Sequence, residues 1–268
     1  MMRYSFIAAA AALASPAAAQ VSGEPLSAAA AGPAIELSTG IEYREGEYGT
    51  GQKVETLSVR ATLRASKWQI QFTASLPYLQ VDAPGNVVGG GGLLGLPIIV
   101  DPTQPATRQR REGMGDLRLG AAYTLPSASV GLTVSSEVKV PTASEARGLG
   151  TGKADYAVGA ELSKTLGRVT PFVGIGYTLP GDPDGYALRN SLSARAGAAV
   201  RIGPQLRGHV SYGYAQSTSP LVPDEQQIAT GINASLSRRL LLGVYGSAGL
   251  SEGAPDVGAG LQLGFRIR

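Results

Sequence analysis

The chain has 268 residues, with 23 Lys plus Arg against 20 Asp plus Glu, a formal charge of +3, and no cysteine. That composition excludes disulfides and thiolate metal sites, and so small an imbalance gives no basis for nucleic-acid binding. Beyond residue 19 no apolar run approaches the roughly 18 residues of a membrane helix, so a membrane role would require a closed β-barrel, the other way to satisfy backbone polar groups in lipid.

From the N-terminus, residues 1–19 read as a secretory leader: Arg3 gives the positive start, Phe6 to Leu13 the apolar stretch, and Ala17-Ala18-Ala19 the small-residue cleavage pattern. Residues 20–33 read as an N-terminal periplasmic segment. From 34 to 268 period-two alternation recurs between turn signals, which predicts an all-β fold, a twelve-stranded antiparallel transmembrane barrel. The predicted strands are 35–44, 55–65, 68–79, 116–125, 129–140, 154–164, 169–179, 189–201, 206–216, 227–237, 240–250 and 256–268.

One face of these strands is greasy. It reads Ile35, Leu37, Thr39, Ile41 and Tyr43 in the first strand, and Val257, Ala259, Leu261, Leu263, Phe265 and Ile267 in the last. Its only charges, Glu55 and Lys164, fall at strand ends. The other face is small and polar, as in Gly258, Gly260, Gln262, Gly264 and Arg266, and its large apolar members are Leu79, Phe172, Leu241 and Tyr245. A soluble sandwich packs its apolar face inward and gives large charges to water. An apolar face nearly free of charge suits lipid instead, where Arg or Lys at the midplane costs about 2–4 kcal/mol.

Connection lengths alternate in the same sense. The tight ones are Ser66-Lys67, Pro126-Ser127-Ala128, 165–168, 202–205 and Arg238-Arg239; the long ones are 45–54, 80–115, 141–153, 180–188, 217–226 and 251–255. Short periplasmic turns and long outer loops are the outer-membrane pattern, and an even strand number puts both barrel ends in the periplasm. Tyr43, Tyr78, Tyr156, Tyr177, Tyr212 and Tyr214 fall toward outer strand ends on the greasy face, whereas Trp68, Tyr123 and Phe265 fall toward inner ends, as two interfacial girdles would.

Signals for catalysis and cofactors are weak. The single histidine, His209, falls on the polar face, where a lipid-cleaving residue would not be. Asp182-Pro183-Asp184-Gly185 reads as a turn before it reads as a calcium loop. The glycine run Gly90 to Gly95 lacks the strand–helix context of a phosphate loop, and Gly150-Thr151-Gly152-Lys153 is followed by Ala154 where Ser or Thr is needed. No catalytic residue, metal or cofactor is expected.

The lumen face carries the candidate transport residues Glu42, Arg60, Arg64, Asp116, Arg118, Glu137, Lys139, Asp155, Glu161, Arg195, Arg201 and Arg207. Acids lean toward the outer ends and arginines toward the inner ends, which would polarise a pore. Alternatively the charges pair across strands, with Asp116, Lys139 and Asp155 forming a ladder. The connection 80–115 is predicted to fold back as a gate through Leu93, Leu94, Leu96, Ile98 and Ile99, because an apolar segment does not stay in water. Arg108, Arg110 and Arg111 face either solvent or lipopolysaccharide phosphates.

Several segments carry a family resemblance: 113–120 (Gly-Met-Gly-Asp-Leu-Arg-Leu-Gly), Val138 to Thr142, Gly148 to Tyr156, Thr170-Pro171-Phe172 with Gly176-Tyr177, and Gly181 to Gly185. Over roughly 113–268 the chain resembles the outer-membrane transporter family of meta-pathway phenol-degradation proteins. The resemblance implies a Gram-negative outer-membrane channel for small, hydrophobic or aromatic solutes. It further implies as partners outer-membrane lipid, lipopolysaccharide and the barrel-assembly machinery. It supplies no catalytic residues. A non-transporting structural barrel and, further off, a lipid hydrolase are the alternative readings. The chain departs from the barrel pattern at its end, where Phe265 stands three residues before the terminus.

Overall fold

The computed structural model describes residues 33–89, 98–100, 106–125, 130–183 and 187–267. In chain order its strands are β1 Ala34–Gly46, β2 Val54–Lys67, β3 Ile70–Pro84, β4 Val87–Gly89, β5 Ile98–Val100, β6 Arg108–Met114, β7 Leu117–Leu125, β8 Gly131–Val140, β9 Asp155–Ser163, β10 Val169–Leu179, β11 Ser191–Arg201, β12 Leu206–Ala215, β13 Glu225–Ser235, β14 Leu240–Gly249 and β15 Val257–Ile267, with one 3-10 turn at Glu145–Arg147. The leader read over 1–19 and nearly all of 20–33 lie outside the described residues.

Each long strand pairs antiparallel with its neighbours, and β1 pairs with both β2 and β15, so the sheet closes on itself. β6 and β7 are halves of one stave. β3 pairs with β6 from Tyr78 to Pro84 and with β7 from Ile70 to Ser75. The barrel therefore has twelve staves, as the alternation predicts, and β4–β5 is a separate small hairpin.

Two boundaries differ from the sequence reading. The fourth stave begins at Arg108 instead of 116, and β3 runs on to Pro84. Above Tyr78 and Met114 the outward residues turn polar, with Gln80 opposite Glu112 and Asp82 opposite Arg110. The apolar pattern stops where lipid stops, but the hydrogen-bonded ladder continues. The stave breaks at Gly115, whose N–H donates to Pro77 O at 2.8 Å. A Cβ there would lie 2.8 Å from the Pro77 ring. The first tight turn is Trp68-Gln69 and not Ser66-Lys67, since Lys67 pairs with Ile70. Trp68 takes the left-handed conformation at φ 55, and the Lys67 ammonium sits 4.6 Å from the ring centroid.

The faces are inside-out relative to a soluble protein. Ile35, Leu63, Phe72, Val173 and Leu261 are exposed, whereas Glu36, Thr56, Ser75, Lys139 and Glu161 are buried. The apolar side chains thus face outward and the polar ones inward, in a fold without any helix long and apolar enough to cross a membrane among the described residues.

Glycines on the inner face make room for its few large rings. Phe172 stands opposite Gly197, His209 opposite Gly231, and Tyr245 between Gly231 and Gly260. A Cβ on Gly197 would approach Val210 O at 2.4 Å and Phe172 Cζ at 2.7 Å; one on Gly260 would meet Tyr245 Cζ at 2.4 Å. Pairing a ring with a glycine fills the lumen while leaving the ladder intact. Gly197→Ala forces a carbonyl to move. It is expected to lower stability by about 1–3 kcal/mol in urea unfolding of the reconstituted barrel.

Candidate functional site

The lumen holds its charges in discrete groups. Glu36 on β1 lies directly opposite Arg64 on β2 and Arg266 on β15, with contacts of 3.4 and 3.3 Å. Higher on the same strands Glu42 meets Arg44 at 2.6 Å and Arg60 at 4.0 Å, and the Tyr245 hydroxyl donates to it. Across the barrel, Arg118 binds Glu137 at 2.7 Å. Lys139 sits between Asp155 at 2.8 Å and Asp116 at 3.6 Å, forming the predicted ladder. Arg195 on β11 reaches over Gly174 to Glu161 on β9 and lies 5.2 Å from the Phe172 ring. A side chain at 174 would crowd that crossing, since its Cβ would stand 3.4 Å from Arg195 Cγ.

Among the candidate transport residues the acids are paired with bases, the arrangement the cross-strand reading expects. Glu42, Asp116, Glu137, Asp155 and Glu161 each have a base at their own height, and Arg64 is held by Glu36. These six acids, Glu36 included, are each set against a base within the lumen. Arg201 and Arg207 face each other across β11 and β12 at the short-turn rim. His209 is buried on the lumen side, against the space left by Gly231. Among the described residues no three His, Asp or Glu side chains group as a metal site. Asp184 and Gly185 lie outside the described residues.

The outer mouth is capped by apolar side chains. Tyr48, Val54, Leu79, Val81, Ala83, Val87, Leu149 and Val222 form one buried cluster, with Val100 and Ala143 packed against it. Tyr48, Val87, Leu149 and Val222 come from the β1–β2, β3–β6, β8–β9 and β12–β13 connections, which are rooted at separate points of the ring. The outer rim is also stitched by hydrogen bonds from one connection to the next. Arg108 donates to Lys53 O, Arg147 to Glu112 O, Gly181 N–H to Asp155, Arg189 to Ser217 O and Ser251 to Asp224 O. Beneath the cap the side-chain oxygens of Tyr48, Thr56, Ser58 and Gln227 are buried with no hydrogen-bond partner. Burial pushes the Tyr48 phenol above its usual range.

Of the predicted gate residues, Leu93, Leu94 and Leu96 lie outside the described residues, while Ile98 and Ile99 fall in β5. The hairpin that β5 makes with β4 is rooted in the cap through Val87 and Val100. Arg111 departs from the expectation of a solvent or lipopolysaccharide contact: it turns inward and donates to Val87 O at 2.6 Å. Arg108 is engaged by Glu55 and Asp82 at 2.7 Å each. Sequence reasoning missed Tyr48, Leu149 and Val222. The available signals were Leu149 standing between two glycines in a polar connection, and the Leu79-Val81-Ala83 alternation that continues past the girdle on the lumen side.

The family model described as "Putative MetA-pathway of phenol degradation" matches residues 45–267. The chain belongs to that family. As a family member it has the fold of an outer-membrane barrel. It is similar to the crystal structure of an outer membrane channel from Pseudomonas putida F1, at a TM-score of 0.71 and 16% identity over 91% of this chain and 99% of that one. A looser likeness is to the translocator domain of the autotransporter NalP from Neisseria meningitidis, at a TM-score of 0.53 and 11% identity over 89% of each chain. No curated protein matches the family member's sequence.

Proposed function

We propose that this protein is a passive outer-membrane channel for small hydrophobic or aromatic solutes, with the outer cap as its gate. The observation that carries this reading is the apolar cluster inside the outer mouth, above a lumen of small polar and paired charged side chains. A water-filled porin has no use for a greasy plug there, whereas an apolar solute gains contacts from it. The family's description, which names phenol degradation, supports the same solute class. The partnerless oxygens beneath the cap favour opening, because each regains a hydrogen bond once water or solute reaches it.

On this reading the β4–β5 hairpin moves with the cap, while the ion-paired groups keep the barrel wall rigid. Liposome swelling tests the idea directly. Wild-type protein is expected to pass small aromatic alcohols and exclude sugars of similar size, and equal exclusion of both would sink the proposal.

The second reading, a non-transporting structural barrel, is favoured by how fully paired side chains fill the lumen. Conductance in planar bilayers separates the two. An outer-membrane lipid hydrolase would have to use His209, which points away from lipid; phospholipase activity abolished by His209→Ala would revive that reading.

A further inference from the structure

The two rims differ sharply in how their charges are matched. At the outer rim three of the five exposed bases have acids beside them, Lys53 with Glu45 and Glu55, Arg108 with Glu55 and Asp82, and Arg189 with Asp224, while Arg110 and Arg147 donate to Gln80 and to the Glu112 carbonyl. At the short-turn rim the bases Lys67, Lys164, Arg168, Arg201, Arg238 and Arg239 are exposed, and among the described residues none has an ion pair with an acid. Among the described residues the acids nearest that level are held inside the lumen, Glu36 by Arg64 and Arg266 and Glu161 by Arg195.

Beside these bases stands an exposed apolar residue in every such turn. Trp68 follows Lys67, Leu166 lies between Lys164 and Arg168, Ile202 follows Arg201, and Leu236 precedes Arg238 and Arg239. These side chains continue the lipid-facing band without a break. A greasy residue that dips into acyl chains beside a cation that stays at the surface is the signature of an interfacial anchor. Repeated in four of the short turns, with no acid ion-paired to these bases among the described residues, the pattern attracts anionic headgroups.

We propose that the short-turn rim is a collar that binds anionic phospholipids of the adjoining leaflet. Charge complementarity and continuity with the lipid-facing band identify the occupant. A soluble acidic partner would leave Trp68, Leu166, Ile202 and Leu236 in water, and a free phosphate would make no use of them. The inference is independent of whether the lumen conducts.

Trp68, the only tryptophan of the chain, reports from within the collar. The barrel is reconstituted in phosphatidylcholine vesicles that contain an equal fraction of either brominated phosphatidylglycerol or brominated phosphatidylcholine. Brominated phosphatidylglycerol is expected to quench Trp68 severalfold more strongly. The excess should collapse in 1 M salt, where the screening length falls to about 3 Å. It should also vanish when Lys67, Lys164, Arg168, Arg238 and Arg239 are all replaced by Gln. Equal quenching by the two lipids in wild type overturns the collar, as does selectivity that survives both the salt and the substitutions. If soluble glycerol phosphate removes the selectivity, the ligand is a phosphate and not a lipid, and the proposal fails. Should the substituted barrel not fold, the salt dependence of the wild type still decides.

Discussion

Replacing Lys139 with leucine is expected to cost about 3–5 kcal/mol of stability, the largest loss of any single lumen substitution. Lys139 is only 2% exposed and is the counter-ion of both Asp116 and Asp155. Without it two carboxylates stay in a lumen too crowded to hydrate them. The effect spreads to the outer connections, because Asp116 accepts the Ala143 N–H and Asp155 the Gly181 N–H, each at 2.9 Å. Guanidinium unfolding of the barrel in detergent, followed by its heat-modifiable gel mobility, measures the loss. Adding Asp116→Asn and Asp155→Asn is expected to restore most of it, since the amides need no counter-charge. A loss below about 1 kcal/mol in the single variant would show that the site is wetter than its burial indicates.

The second large effect is on the cap. Leu149 is 2% exposed at the centre of the apolar cluster. Truncating a buried leucine removes about 2–5 kcal/mol of contacts, and aspartate adds the cost of burying a charge. Leu149→Asp is therefore expected to unseat the cap and leave the wall intact, because Leu149 belongs to a connection and to no strand. At a factor of ten for each 1.4 kcal/mol, a loss of about 3 kcal/mol raises the open fraction on the order of 100-fold. Single-channel recordings of wild type and variant check this. If conductance is unchanged while gel mobility still reports a folded barrel, the cap is not the gate.

How far the structure was legible in the sequence depends on the range of each interaction. The staves were legible because lipid imposes period two on every residue that touches it, as in Ile35 to Tyr43 and Val257 to Ile267. The upper parts of β3 and β6 were not, because above the bilayer the ladder holds Gln80, Asp82, Arg110 and Glu112 without any apolar pattern. The Lys139 ladder was legible because adjacent strands with a known turn fix its height. The Glu36–Arg266 contact joins residues 230 positions apart, and no local signal encodes that register. The cap was illegible for a related reason. Tyr48, Leu149 and Val222 meet only because twelve staves close at a radius that lets their connections reach across the mouth.

The pairing of β1 with β15 gives this molecule a zipper that joins the two ends of its sheet. Every other stave pairs with the stave next to it in the chain, but this one must wait for the final strand. Until then β1 and β14 both present raw edges whose backbone groups neither lipid nor water in the bilayer can satisfy. The zipper rung that sets Glu36 against Arg266 thus makes insertion an all-or-nothing event: a copy shortened by its last stave loses its means of staying in the membrane, not one twelfth of its stability.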